Sequence, residues 1–408
     1  MKNILFVLLI CFFGMTISAQ GVDMSYYTSE YLRPEGNFTE RLEVLEAVKD
    51  ANLTGIGDFY HMALKYLLVK TPDVSNKMER DANDISARIL CQGLGAEKYS
   101  AAAPELWQTV QYFDVTFDYN QGLVMQDALN ALGQVGATEF VPHIVQRLND
   151  FNTQVISDVE SKRRVQRAVV GAIYALEALH DPAGFRPVFF VSTGWYDPAI
   201  KAIASTTLPN IVEDPGDIIS GIIQDPSTVP GIKYEAWREM LRTNAPNSSK
   251  AKVAAVALAT GWNYTTPNPV FQRNLREMRM SAISTIRQFG VEDNSVYTNL
   301  EKSYTNNFIN NVPDYDEIRV VISALSAIKT DEAVRLLVKF LRELNDRRRS
   351  GVWTVKERQL FSWVVPGLGA TKTQSQEARL LLTTIQRSSD YTGTEQGWAR
   401  DALRELGN

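Results

Sequence analysis

Helix-breaking residues return along this chain at intervals of roughly 39 residues, close to the length of a helical-hairpin repeat of about 40. They stand near Gly55, Gly95, Gly136, Asp181 with Pro182, Asp214 with Pro215, Ala245 with Pro246, Gly290, Thr330 and Gly369. Each residue type stops a helix for its own reason. Glycine tolerates the left-handed conformation that ends one. Proline fits the first turn of a helix but not its interior, so Asp–Pro closes one helix and opens the next.

Between these turns the apolar residues follow a helical period. Ile318, Val321, Ile322, Leu325 and Ile328 make one stripe, and Val334, Leu337, Val338, Leu341 and Leu344 make the next. Both have the 3–4 spacing of an amphipathic helix. A third stripe runs through Val165, Ala168, Val169, Ala172, Leu176 and Leu179. No alternating pattern persists long enough to suggest a sheet. One hairpin cannot bury two such stripes, so neighbouring hairpins must stack and share a core. The expected fold is all-α, an α-solenoid of about eight to nine stacked helical hairpins.

Particular segments carry a resemblance. "MRMSAISTIRQFG" (278–290) resembles the second helix of a HEAT repeat, and "DALNALGQVGATEFVPHIVQRL" is similar to the end of that helix, its turn and the next first helix. "IKAIASTTLPNI" (200–211) fits the same register, with Lys201 in the place of the family's arginine. The resemblance to the HEAT/armadillo class covers nearly all of 37–408, and two helices per unit are HEAT-like. It implies that the second helices line a concave face, and that Arg279 and Lys201 belong to the framework between repeats. Residues 20–36, expected as an N-terminal extension, and the connection around 150–160 depart from the pattern.

The first residues point to export. Lys2 precedes the apolar run "ILFVLLICFFGM", and the small residues Ser18 and Ala19 follow. These are the parts of a secretory signal peptide, expected over 1–19. Cys11 follows Ile10 rather than a small residue, so no lipid anchor is expected. The run is shorter than the roughly 20 residues of a bilayer span. The expected destination is the periplasm or the extracellular space, without stable membrane insertion. Of the 2 cysteines, Cys91 would remain after cleavage, which excludes a disulfide-stapled fold. A formal net charge of −5, together with export, argues against nucleic acid as a ligand.

Catalytic signatures do not emerge. The 3 histidines fall apart in sequence: His61 within a helix, His143 in a first turn after Pro142, and His180 at a helix end. Neither H-E-x-x-H spacing nor a Cys/His cluster suggests a metal. "GLGATKT" (367–373) lacks phosphate-loop spacing and reads as a turn between helices. Cys91 falls at an inward position and reads as a small buried hydrophobe. No catalytic residue, cofactor or metal is expected.

Binding features remain. Residues 20–120 carry 9 Lys and Arg against 16 Asp and Glu, whereas two second helices are basic. One contributes Lys162, Arg163, Arg164 and Arg167, and the other Arg273 and Arg276 beside Arg279. Arginine on a concave face suits an anionic protein surface. Trp195 with Tyr196, and Trp262 with Tyr264, are expected on turns, as packing between stacked hairpins or as aromatic anchors for a partner. Arg347, Arg348 and Arg349 are expected in a charged connection between helices, as a solvated loop or as a contact for a partner. The function these features suggest is an exported, non-catalytic HEAT-repeat scaffold for envelope or periplasmic proteins. The alternatives are a structural subunit of a large envelope assembly and a lyase-like enzyme on the same scaffold.

Overall fold

The computed structural model describes residues 24–74, 76–115, 121–309 and 314–407. The signal peptide expected over 1–19 lies outside the described residues. Twenty α-helices and four short 3-10 turns account for the regular structure, with no strand among the described residues. The chain forms two compact units, one ending at Leu179 and the other beginning at His180.

The first unit holds α1 (Met24–Tyr31), α2 (Phe38–Asp50), α3 (Gly57–Lys70), α4 (Lys77–Ala96), α5 (Ala103–Tyr112), α6 (Leu123–Gln134), α7 (Val141–Thr153) and α8 (Val159–Leu179). Consecutive helices pair as α1/α2, α3/α4, α5/α6 and α7/α8, while α2, α4, α6 and α8 pack in succession. The stretch expected as an extension is therefore partly helical, and α1 lies against α2 and α3. Small residues set the close approach of the second helices. A Cβ on Gly133 of α6 would come within 2.7 Å of the Ala175 Cα of α8.

Cys91 sits in α4, fully buried. Burial, with Asp127 adding to it, pushes its thiol far above the ordinary range. A water-soluble thiol reagent should therefore modify the chain at Cys91 only as it unfolds. Cys91→Ser should cost about 1–3 kcal/mol, as a hydroxyl buried without a partner does, which chemical denaturation would measure.

The second unit holds α9 (Phe185–Thr193), α10 (Pro198–Ile211), α11 (Gly216–Gln224), α12 (Pro230–Arg242), α13 (Asn247–Asn263) and α14 (Pro269–Phe289). It continues with α15 (Ser295–Ile309), α16 (Tyr315–Ile328), α17 (Asp331–Arg349), α18 (Val355–Ala370), α19 (Gln376–Arg387) and α20 (Gly393–Gly407). These also pair two by two. The first helices of the pairs touch in order from α9 to α19, and the second helices in order from α12 to α20. Among the described residues the first unit holds four such pairs and the second six, more than the turn spacing suggested.

Polar bonds repeat at the same spacing as the turns. Arg88 donates to Asp127 at 2.7 Å, Arg186 to Asp225 at 2.6 Å and Arg279 to Glu317 at 2.8 Å. The indole N–H of Trp237 donates to Ser281 at 2.7 Å, and that of Trp262 to Ser303 at 2.5 Å. Each bond joins a helix, or its end, to the corresponding position of the next pair within the same unit.

Most of the expected turns are turns. Gly55, Gly136 and Gly290 have φ of 74°, 74° and 97°, the region that favours glycine. Thr330 caps α17 by accepting the Ala333 N–H. Two expectations need correction. Gly95 and Gly369 lie inside the last turns of α4 and α18, and the left-handed positions fall to Lys98 and Lys372. Those glycines serve packing: Gly95 faces Ala131 of α6, and a Cβ on Gly369 would stand 2.7 Å from the Ala402 Cα.

Candidate functional site

The basic residues of the second helices divide by what holds them. On α8, Arg163 makes one pair with Glu160 at 3.2 Å, and both side chains are at least half exposed. Such a pair contributes little, about 0–1 kcal/mol. Arg167 donates to the side-chain and backbone oxygens of Gln121, and Arg164 bonds the Ser161 hydroxyl at 2.9 Å while its Nε lacks a partner. On α14, Arg273 is exposed and makes no ion pair among the described residues.

Arg276 differs from Arg273, one helical turn away. It grips both oxygens of Asp314, the residue capping α16, and also pairs with Glu277 at 2.9 Å. The guanidinium holds the Asp314 carboxyl below the usual carboxylate range against the opposing effect of burial. Arg276 is thus a bond between successive pairs, as is Arg279. The latter clamps the fully buried Glu317 with two 2.8 Å bonds, donates to the Gly261 carbonyl and lies 4.0 Å above the Trp262 ring.

The aromatic anchors are also largely absorbed. Trp262 belongs to helix α13 rather than to a turn, and Tyr264 is half-buried beyond its end. Trp195 does stand in the connection after α9. It stacks on Tyr196 at 4.3 Å, and Tyr196 is buried.

The three consecutive arginines lie in the last turn of α17, where cations suit the helix dipole. They were expected in a connection, and two of them are tied inward. Arg347 pairs with the buried Glu357 at 3.3 Å and lies 4.2 Å from the Phe308 ring centroid. Arg348 donates to both oxygens of the buried Glu395 at 3.1 Å, between the rings of Trp353 and Tyr391. Burial pushes the Glu395 carboxyl up, but the Thr392 N–H and Arg348 outweigh it and hold it low. Arg349 alone projects into solvent, with a loose 3.6 Å pair to Asp346.

The histidines stay apart. His61 Nε2 lies 2.9 Å from Glu105, and His180 donates its Nδ1 proton to the Asn210 carbonyl at 2.7 Å. Exposed His143 packs 5.2 Å from Trp107, whose ring stacks on Phe140 at 5.7 Å. Among the described residues no group of three His, Cys, Asp or Glu could hold a metal. No helix there is long and apolar enough to cross a membrane.

Two features escaped the sequence. The Trp107–Phe140–His143 cluster joins residues from α5 and the start of α7, and only Pro142 marked a helix start near it. Lys233, in "PGIKYEAW", is buried to 1% exposure. Its position three residues after Pro230, at a helix start, was the available signal, because a lysine there can fold back over the preceding helix end. Of the arginines expected to bind a partner, Arg163 on α8, Arg273 on α14 and Arg349 on α17 are exposed, and Arg167 on α8 is half-buried with its bonds going to Gln121. Compared with protein-family models and with curated proteins, the chain matches none.

Proposed function

We propose that this chain is an exported, non-catalytic HEAT-like α-solenoid that binds anionic protein surfaces through exposed arginines of its second helices. Two helices per pair, contacts between like positions of successive pairs, and polar bonds at the turn spacing support the repeat reading. The observation that carries the binding reading is the contrast on α14. Arg276 and Arg279 are consumed by internal carboxylates, while Arg273 carries an uncompensated guanidinium into solvent. On α8, Arg163 has only a weak exposed partner. A planar guanidinium can engage a carboxylate with two parallel bonds, which suits recognition of acidic side chains.

The test separates exposed from internal arginines. Photo-crosslinkers placed at 163 and 273 in intact cells identify the partner. Reversal of Arg163, Arg167 and Arg273 to glutamate should then abolish its capture while the melting temperature holds. Binding to the unmodified chain should weaken steeply with added salt. Equal capture by the reversed chain would reject the reading.

A further inference from the structure

Lys233 lies near the start of α12 with 1% of its surface exposed. Its amine folds back over the end of α11 and donates to the carbonyls of Ile223 at 2.5 Å and Asp225 at 2.6 Å. The end of α11 leaves the Ile223 carbonyl without a helical partner, while that of Asp225 also accepts the Thr228 N–H at 3.1 Å, and a cation suits the helix dipole there. That local role accounts for two of the three N–H groups of an ammonium. The Tyr264 ring stands 5.8 Å from the nitrogen, and no carboxylate pairs with it among the described residues. Asp225 acts on it electrostatically, but that carboxylate is already held by Arg186 and Ser227. One buried N–H and one buried positive charge are left over.

Lys233 is also among the residues lining a cavity of about 420 Å³ contained within the second unit. This is the size range of small-molecule sites, which pair apolar walls with a few polar groups. Ala255, Val256 and Ala259 of α13 form an apolar wall, while Thr260 and Ser295 supply hydroxyls. Asp293 is the acidic member of the lining. It accepts the Ser295 N–H at 2.8 Å at the start of α15, where the positive end of the helix offsets its charge.

We propose that this cavity binds a short-chain carboxylate. A carboxylate oxygen takes the remaining N–H of Lys233, and the alkyl tail lies along Ala255, Val256 and Ala259. A phosphate would satisfy the lysine but leave the apolar wall unused.

The test is a ligand-observed NMR titration of the full chain with butyrate, its uncharged amide butyramide, and inorganic phosphate. Butyrate should bind saturably in the millimolar range, as expected for so few atoms. Butyramide and phosphate should bind at least about tenfold more weakly, since a charge-assisted bond and an apolar contact are each lost. Lys233→Met should also lose at least about tenfold. Because that change uncaps α11 as well, Ala259→Phe serves as the second variant, filling the cavity with Lys233 in place. It should abolish butyrate binding while keeping its helical circular dichroism. The proposal is overturned by any of three results: no saturable butyrate binding by the unmodified chain, equal binding of butyramide or phosphate, or undiminished binding to folded Ala259→Phe.

Discussion

Arg279→Ala is expected to destabilise the second unit by about 3–5 kcal/mol, the usual effect of stranding one member of a buried ion pair. Glu317 is fully buried, and the guanidinium supplies both of its 2.8 Å bonds from α14. Removing that group leaves a carboxylate in the interface between α14 and α16 with no counter-charge. It also removes the cation resting on Trp262 and the donor to the Gly261 carbonyl. The double change Arg279→Met with Glu317→Leu should recover most of the loss, because it removes the charge instead of orphaning it. Denaturant unfolding of the three chains measures this. An Arg279→Ala chain as stable as the parent would mean that the pair contributes nothing to the packing.

Trp237→Ala is expected to have an effect of similar size, about 3–5 kcal/mol, through a different cause. Trp237 is a fully buried side chain on α12, and its indole N–H reaches Ser281 of α14 at 2.7 Å. Truncation opens a cavity between two successive pairs that helices already in contact cannot close. Ser281 keeps its own bond to the Glu277 carbonyl at 2.8 Å, so no stranded hydroxyl adds to the cost. Trp237→Phe, which preserves most of the ring volume, should lose much less. Unfolding curves for the two variants distinguish packing from hydrogen bonding as the main contribution.

The amphipathic stripes and the turns were legible because both are local. A 3–4 apolar spacing needs only one helix, and Gly55, Gly136 and Gly290 take the left-handed backbone their residue type favours. The misplaced turns have an equally physical origin. Glycine is also the residue that lets two helices approach, and at Gly95 and Gly369 that use prevails. In sequence the two uses look alike.

The candidate site was less legible, because an exposed arginine and a paired one differ in what another helix brings to them. Arg273 and Arg276 sit on the same helix, but only Arg276 meets Asp314. Arg347 and Arg348 looked like a solvated charge run, yet Glu357 and Glu395 reach them from α18 and α20. Such partners appear only once the packing of the helices on one another is known. Lys233 was hidden for a related reason, since the carbonyls it caps carry no sequence signature.

In the proposed solenoid, successive helix pairs hold one another by contacts between neighbours, leaving their second helices as a surface. Amide hydrogen exchange on the Arg279→Ala chain tests this most directly. If stability is a sum of neighbouring contacts, protection should fall in α13 to α16 and persist in α9, α10, α19 and α20 of the same unit. A uniform loss of protection across all twelve helices of that unit would contradict the account.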